Sequence, residues 1–190
     1  GIISFIFSIV LSRKLGAEGL GLYGLIMPIY SLLLCITSDG LITAVSKVTA
    51  IYFNRRDIKN LNRTIHTVLV FVFFTSFNVA LIAFFLRKGI AAWLVRDLRA
   101  ETAIQCLCPA VLFVPLSAVI KGYFYGLGKY MVTSSIDIVE KILRVVILLG
   151  VIAIVKPTSV DKTVAIAYTA LAVGEFVSMT MLYTGYRIQR

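Results

Sequence analysis

The sequence predicts an all-α membrane protein, a polytopic bundle of about six transmembrane helices forming a single domain over residues 1–190. Three observations carry that prediction. Of the 190 residues, 59% are hydrophobic and only 15% charged, where a soluble domain has about 45–50% apolar and about a quarter charged residues. Mean hydropathy is +0.96. The apolar residues are gathered into runs near the roughly 20 residues that cross a bilayer, with charge confined mostly to short breaks between them.

The first run, Gly1 to Leu11, is closed by Arg13, Lys14 and Gly16. It is too short to span alone and reads as a helix cut at its start. The second, 20–51, is long, and Pro28 and Gly40 are the positions where it would break or kink. The third covers 64–86 and is rich in Phe and Val. The fourth covers 100–127 and contains Pro109 and Pro115; the fifth covers 131–155 and the sixth 163–186. Between the third and fourth runs lies GIAAWLVRDLR, residues 89–99. Its mixed apolar and basic residues and the single Trp predict a short helix in the membrane interface.

The net charge is +10, from 19 Lys and Arg against 9 Asp and Glu. In a soluble chain that excess would point to nucleic acid. Here the basic residues flank apolar runs, as they do at a membrane surface, and no RNP, zinc-finger or helix-turn-helix pattern is present, so no nucleic-acid partner is expected. Basic residues divide almost evenly between the two faces and leave orientation undecided; the dense cluster at 54–63 tilts it towards the cytoplasm. Cys35, Cys106 and Cys108 lie in apolar runs, an odd number without metal-ligand spacing. His66 is the single histidine, so no metal site, cofactor or His-based triad is expected. GIISFIFSIVL resembles the apolar part of a signal peptide but has no basic stretch before it. There is no P-loop, nucleophile elbow or H-E-x-x-H, and the glycines of GAEGLGLYG follow no strand. The chain is not expected to be an enzyme.

The informative residues are polar ones inside apolar runs, where a charge at the bilayer centre costs about 2.5–3.5 kcal/mol and so normally faces the bundle interior. In the fifth run Asp137, Glu140, Lys141 and Arg144 fall within an arc of about 100° on a helix. Asp137–Lys141 and Glu140–Arg144 both have i,i+4 spacing with the acid first, the favourable orientation. This stripe reads either as a self-neutralised joint between helices or as a cavity wall on which Arg144 grips a phosphate bidentately. In the second run Asp39, Thr43, Ser46 and Lys47 share a face, with Asp39 either a cation or proton site or a hydrogen-bonded residue at a helix break. Glu175 follows Gly174 in the sixth run. Lys121 in the fourth reads as a residue snorkelling to the surface, and Gly122 and Gly126 form a G-x-x-x-G step for close helix packing. The candidate substrate-binding residues are therefore Asp39, Lys47, Glu140, Arg144 and Glu175.

Several of these segments are familiar. LGAEGLGLY at Leu15–Tyr23, MPIY at Met27–Tyr30, AVSK at Ala44–Lys47, KGYFYGLG at Lys121–Gly128, IVEKILRVV at Ile138–Val146 and Gly174-Glu175 together resemble the stage V sporulation protein B group. That group belongs to the multidrug/oligosaccharidyl-lipid/polysaccharide flippase superfamily. The resemblance covers nearly the whole chain in order. It implies a MATE-like transporter of two six-helix lobes around a central cavity in the bacterial plasma membrane. Such a transporter moves a polyprenyl-linked sugar precursor for cell-envelope or spore peptidoglycan synthesis by alternating access. This chain would be the N-terminal lobe, a fragment whose partner is a missing C-terminal lobe or a second copy. It would be surrounded by membrane lipids and driven by a membrane potential or a coupling ion. Two departures stand out. The group's first helix commonly carries basic cavity residues where this chain has Ser4 and Ser8, and Asp39-Gly40-Leu41-Ile42 stands where relatives often have Ala-Gly-Leu-Pro. The alternatives are a drug/cation antiporter of the same superfamily, for which Asp39 and Glu175 would be the key residues, and a non-transporting membrane scaffold for envelope assembly.

Overall fold

The computed structural model describes residues 2–155 and 159–189. The side chains of residues 2–8, 10, 14 and 189 lie outside the described set, and Ser4 and Ser8 with them. Every described element is helical: α1 (Ile2–Ser38), α2 (Leu41–Asn54), α3 (Ile58–Phe85), the single turn α4 (Arg87–Gly89) continuing into a π-helical turn (Ile90–Val95), α5 (Ala100–Gly126), α6 (Tyr130–Val155) and α7 (Val160–Gln189). Among the described residues, four helical stretches are long and apolar enough to cross a membrane: Leu15–Asn54, Ile58–Phe85, Ala100–Gly126 and Val160–Ile188. The 26 residues of α6 give it a spanning length of about 39 Å at about 1.5 Å per residue. Its central charges set it apart from those four. The architecture is an all-α membrane bundle.

The breaks in the first 54 residues fall at glycines. Gly16 leaves helical geometry (φ 69°, ψ −175°) inside α1, and Gly40 takes the left-handed conformation (φ 75°, ψ −12°) between α1 and α2, which a residue without Cβ adopts at little cost. Pro28 lies inside α1 with no break, because a proline removes one helical hydrogen bond that a packed bundle tolerates. In the last turn of α1 two hydroxyls bond back onto carbonyls one turn earlier, Thr37 Oγ1 donating to Leu33 O at 2.9 Å and Ser38 Oγ to Leu34 O at 2.8 Å, a pattern that favours bending or ending a helix. The helix restarts at once, with Ala44 N–H donating to Gly40 O at 2.9 Å. At the head of α3 the Asp57 carboxylate accepts from Asn60 N–H at 3.2 Å, a standard N-cap.

Helix α5 is the axis of the bundle, packing against α1, α2, α3, α6 and α7. The apolar stretch of α5 is 67% buried, that of α3 only 22%, so α3 is the outer helix and turns Phe71, Phe74 and Phe85 outwards. The core has two parts. One joins Leu22, Ile26 and Ile29 of α1 to Ile104 and Leu107 of α5, Leu148 of α6 and Tyr168 and Leu171 of α7. There the Tyr23 and Tyr168 rings stack at 4.8 Å and Tyr168 O–H donates to Tyr23 O at 2.9 Å. The other joins Val45 of α2 and Leu61, Ile65 and Val72 of α3 to Ile120 and Phe124 of α5 and to Leu182 of α7. The segment between α3 and α5 leaves Trp93 and Leu94 largely exposed.

The G-x-x-x-G step has its reason in the α2–α5 contact. A Cβ at Gly122 would stand 2.8 Å from Val45 Cβ and 2.9 Å from Ile42 O. At Gly126 it would stand 2.5 Å from Thr49 Cβ and 2.6 Å from Ser46 O. Helices in lipid have no hydrophobic drive towards one another, so close approach of backbones through small residues is a main source of their attraction. Gly126→Val is therefore expected to lower stability by about 1–3 kcal/mol, read as a lower thermal midpoint of the detergent-solubilised protein. Gly150→Ala, where a Cβ would meet nothing within 4 Å, is expected to leave the midpoint unchanged or slightly raised.

Candidate functional site

Helical periodicity puts Asp137, Glu140 and Arg144 on one face of α6, and the bundle brings two further charges to it. Arg144 Nη2 lies 2.5 Å from Glu140 Oε1, one turn back on the same helix, and 3.1 Å from Glu175 Oε1 on α7. One guanidinium nitrogen thus serves two carboxylates on two helices. A second link ties α5 to α6: Lys121 Nζ to Asp137 Oδ1 at 2.7 Å. All five side chains are largely withdrawn from the surface, with Glu140 at 8% and Glu175 at 14% exposure. Two cations face three carboxylates, which leaves one negative charge in excess.

Local sequence explains how the carboxylates meet. Gly174 has no side chain, and a Cβ there would touch Glu140 Oε1 at 3.5 Å and Glu140 O at 3.7 Å. Glu140 therefore rests against the backbone of α7 with Glu175 beside it. The Gly174-Glu175 pair is a joint in which the glycine admits one acid and the next residue supplies the other. From α1, the buried Tyr30 lies within electrostatic range of Glu175, Arg144 and Glu140. Arg144 and Glu175 both stand at the middle of their helices, between the two parts of the apolar core. Among the described residues no group of His, Cys, Asp and Glu has the arrangement to hold a metal ion.

The other candidates sit apart from this cluster. Asp39 is exposed at the α1–α2 break, where with Ser31, Cys35, Ser38 and Thr43 it lines an open pocket of about 520 Å³. Cys35 Sγ donates weakly to Asp39 Oδ2 at 3.7 Å. The left-handed Gly40 interrupts the helix after Asp39, so the face read for Asp39, Thr43, Ser46 and Lys47 is divided between two helices, with Asp39 and Thr43 still meeting at one pocket. Ser46 turns its backbone towards Gly126, while Lys47 is exposed. One ion pair also departs from the sequence expectations for both of its members. Asp137 pairs with Lys121 rather than with Lys141, and Lys121 does not simply snorkel to the surface: the packing of α5 on α6 puts its ammonium beside a carboxylate. The role of Lys121 was missed because no spacing rule links residues on different helices. Its one sequence signal is a lysine inside an apolar run, flanked by the glycines of a packing step. Outside the spanning helices, Asp97 accepts from the backbone N–H of Arg99 at 2.9 Å. That bond, ahead of the Arg99 side chain, holds its carboxyl below the ordinary range.

Comparison with known proteins adds a second line of support. A family model described as polysaccharide biosynthesis protein matches residues 1–190. The chain is 26% identical over 194 residues to stage V sporulation protein B of Bacillus subtilis (strain 168), covering 99% of this chain and 36% of that protein. It is 25% identical over 197 residues to the lipid II flippase MurJ of the same organism, covering 96% and 36%. It is 26% identical over 188 residues to the sporulation protein YkvU, again from that organism, covering 99% and 40%. The chain therefore spans well under half the length of these relatives. No solved structure matches it.

The Lys121–Asp137 link generates a prediction. Asp137→Asn strands the Lys121 ammonium and is expected to destabilise the protein by about 1–3 kcal/mol. Adding Lys121→Met should recover most of that loss, since a buried pair replaced by apolar groups is often neutral or stabilising. A thermal-melting double-mutant cycle in detergent checks it, and additive effects would show that the pair carries no coupling.

Proposed function

Because the chain belongs to the polysaccharide biosynthesis protein family, we propose that it is one lobe, the N-terminal one, of a flippase that exports a polyprenyl-linked oligosaccharide or polysaccharide precursor by alternating access. The setting is a bacterial plasma membrane and the synthesis of cell envelope or spore peptidoglycan. The observation that carries the reading is the placement of Lys121, Asp137, Glu140, Arg144 and Glu175 at the meeting of α5, α6 and α7 in an apolar bundle. A sugar-pyrophosphate headgroup cannot enter bare hydrocarbon without losing its hydration. A polar wall midway along the helices substitutes for water, while the polyprenyl tail stays in lipid.

In this reading Arg144 is the group that takes a phosphate oxygen, Glu140 and Glu175 orient it, and Asp39 and Lys47 line the approach from the α1–α2 break. A second lobe or a second copy closes the cavity from the other side, and a membrane potential or an ion drives the cycle. The relatives support a flippase over a drug/cation antiporter, since one of them is named a lipid II flippase and the other two are named for sporulation.

The test is translocation of a fluorescent polyprenyl-pyrophosphate-linked sugar by the full-length protein in proteoliposomes. Arg144→Ala is expected to lower the rate by about tenfold or more, matching the loss of charged hydrogen bonds of about 1.5–3 kcal/mol. Unchanged flux at normal expression removes Arg144 from the proposal. A folded wild type without flux, together with loss of folding when the α6 charges are neutralised, supports the scaffold reading instead.

A further inference from the structure

We propose that the groove between α3 and α5, together with the segment 86–99 that joins these helices, binds one anionic glycerophospholipid of the surrounding leaflet. The inference does not rest on the flippase reading.

The groove has a volume of about 580 Å³ and is lined by Phe77, Leu81 and Phe85 of α3 and by Cys108, Pro109 and Leu112 of α5. The single amide side chain in its lining is Gln105. Gln105 is exposed on an apolar stretch of α5, and its amide makes no hydrogen bond among the described residues. Its backbone carbonyl also lacks the usual helical donor, because the residue four places on is Pro109, which has no N–H. A polar group facing lipid is costly unless a partner comes from outside the chain.

Charge at the mouth of the groove depends on which cations are already paired. Arg87 ties the end of α3 to the start of α5. Its Nε donates to Glu101 Oε1 at 3.1 Å, its Nη1 donates to Phe84 O at 3.2 Å, and its guanidinium lies 4.6 Å from the centre of the Phe84 ring. Arg99 is engaged by Asp97 and Glu18. Lys88 and Arg96 are exposed and have no ion pair among the described residues. They flank a turn of unusual backbone, π-helical over Ile90–Val95 and left-handed at Arg96 (φ 57°). Ala91 and Val95 dock that turn in the core, which leaves Trp93 and Leu94 pointing outwards at 85% and 65% exposure. An indole and a leucine held out beside two cations suit the layer where headgroups meet hydrocarbon.

The depths match one lipid molecule. At about 1.5 Å per residue, Gln105 lies about 7–8 Å inside the start of α5 and Leu112 about 18 Å. By the same rise, Leu81 and Phe77 lie about 6 and about 12 Å inside the end of α3. A headgroup layer is about 5–8 Å thick and half the hydrocarbon core about 15 Å. From the surface inwards the chain thus offers cations, then an amide, then an apolar slot one leaflet deep. A glycerophospholipid presents phosphate, ester carbonyls and acyl chain in that order, and the unneutralised Lys88 and Arg96 select a headgroup of net negative charge. A polyprenyl phosphate has the charge and the tail but no ester for Gln105. The bound acyl chain bridges α5 and the outer helix α3, so binding stabilises the bundle.

The experiment uses the full-length protein in liposomes and takes Trp93 as its probe, the signal being the difference between wild type and Trp93→Phe. Brominated phosphatidylglycerol, at low mole fraction in phosphatidylcholine, should associate about tenfold or more tightly than brominated phosphatidylcholine, read from quenching. The advantage should drop about fivefold in Lys88→Gln and again in Arg96→Gln, and should shrink in high salt. It should be unchanged in Lys59→Gln, at the other end of α3. Pro109→Leu fills the groove and restores a helical N–H, so it should fold but lose most of the advantage. Phosphatidylglycerol should raise the thermal midpoint of wild type and leave that of Pro109→Leu unmoved. Equal quenching by the two lipids, or an advantage that survives loss of both cations, overturns the headgroup assignment. Should the cation variants fail to fold, a salt-independent advantage in wild type overturns it equally. An advantage and a midpoint shift that persist in Pro109→Leu overturn the groove and leave only a surface charge effect. Displacement of the brominated lipid by polyprenyl phosphate at equal mole fraction gives the groove to a polyprenyl tail and overturns the phospholipid.

Discussion

A charge inside an apolar bundle has to find its opposite within reach of a side chain, and that requirement organises this protein. Helix α6 carries Asp137, Glu140, Lys141 and Arg144 over its second to fourth turns. Their neutralisation draws on both neighbours, Lys121 from α5 and Glu175 from α7. The order of packing follows: α6 lies where it touches both helices with its charged face inward, and its exposed face carries Ile138, Ile142, Val146 and Leu149. In lipid, where apolar surfaces gain little by meeting each other, such pairs specify which helix sits beside which.

The opposite flank of α5 obeys a different rule. There Gly122 and Gly126 remove side chains so that α2 lies almost on the α5 backbone, and the attraction is dispersion between close-packed atoms. One helix therefore mediates two kinds of contact, tight and apolar towards α2, polar towards α6. The breaks at Gly16 and Gly40 serve this arrangement. They allow the first 54 residues to contribute tyrosines to one part of the core and Val45 and Thr49 to the contact with α5, which a single straight helix would not do.

Much of this was legible in the sequence. Composition alone required a membrane bundle, and the long apolar runs marked α3, α5 and α7 because length and hydropathy report directly on solvation by lipid. Glu140 and Arg144 were found together because their spacing is a property of one helix. What spacing cannot see is the neighbour. Asp137 was matched to Lys141 on its own helix when its partner lies on α5, and the apposition of Glu175 to Arg144 depends on tertiary packing. Periodicity also failed across the α1–α2 break, where Asp39 was placed on a face with Lys47 as though the helix continued through a left-handed glycine. Pro28, the stronger helix breaker on paper, interrupts nothing, because a single lost hydrogen bond matters less than a backbone that must turn.

The Gly122–Gly126 contact has a kinematic consequence. Where backbones lie this close, neither helix slides or rotates without atoms colliding, so α2 and α5 behave as one strut. Any rearrangement of the lobe has to be taken up at joints that tolerate relative displacement. The joint between α6 and α7, held at Gly174 by ordinary contact distances and by long side chains able to swap partners, is such a hinge: the stiff and the compliant sides of the lobe are already separated by the chemistry of their contacts.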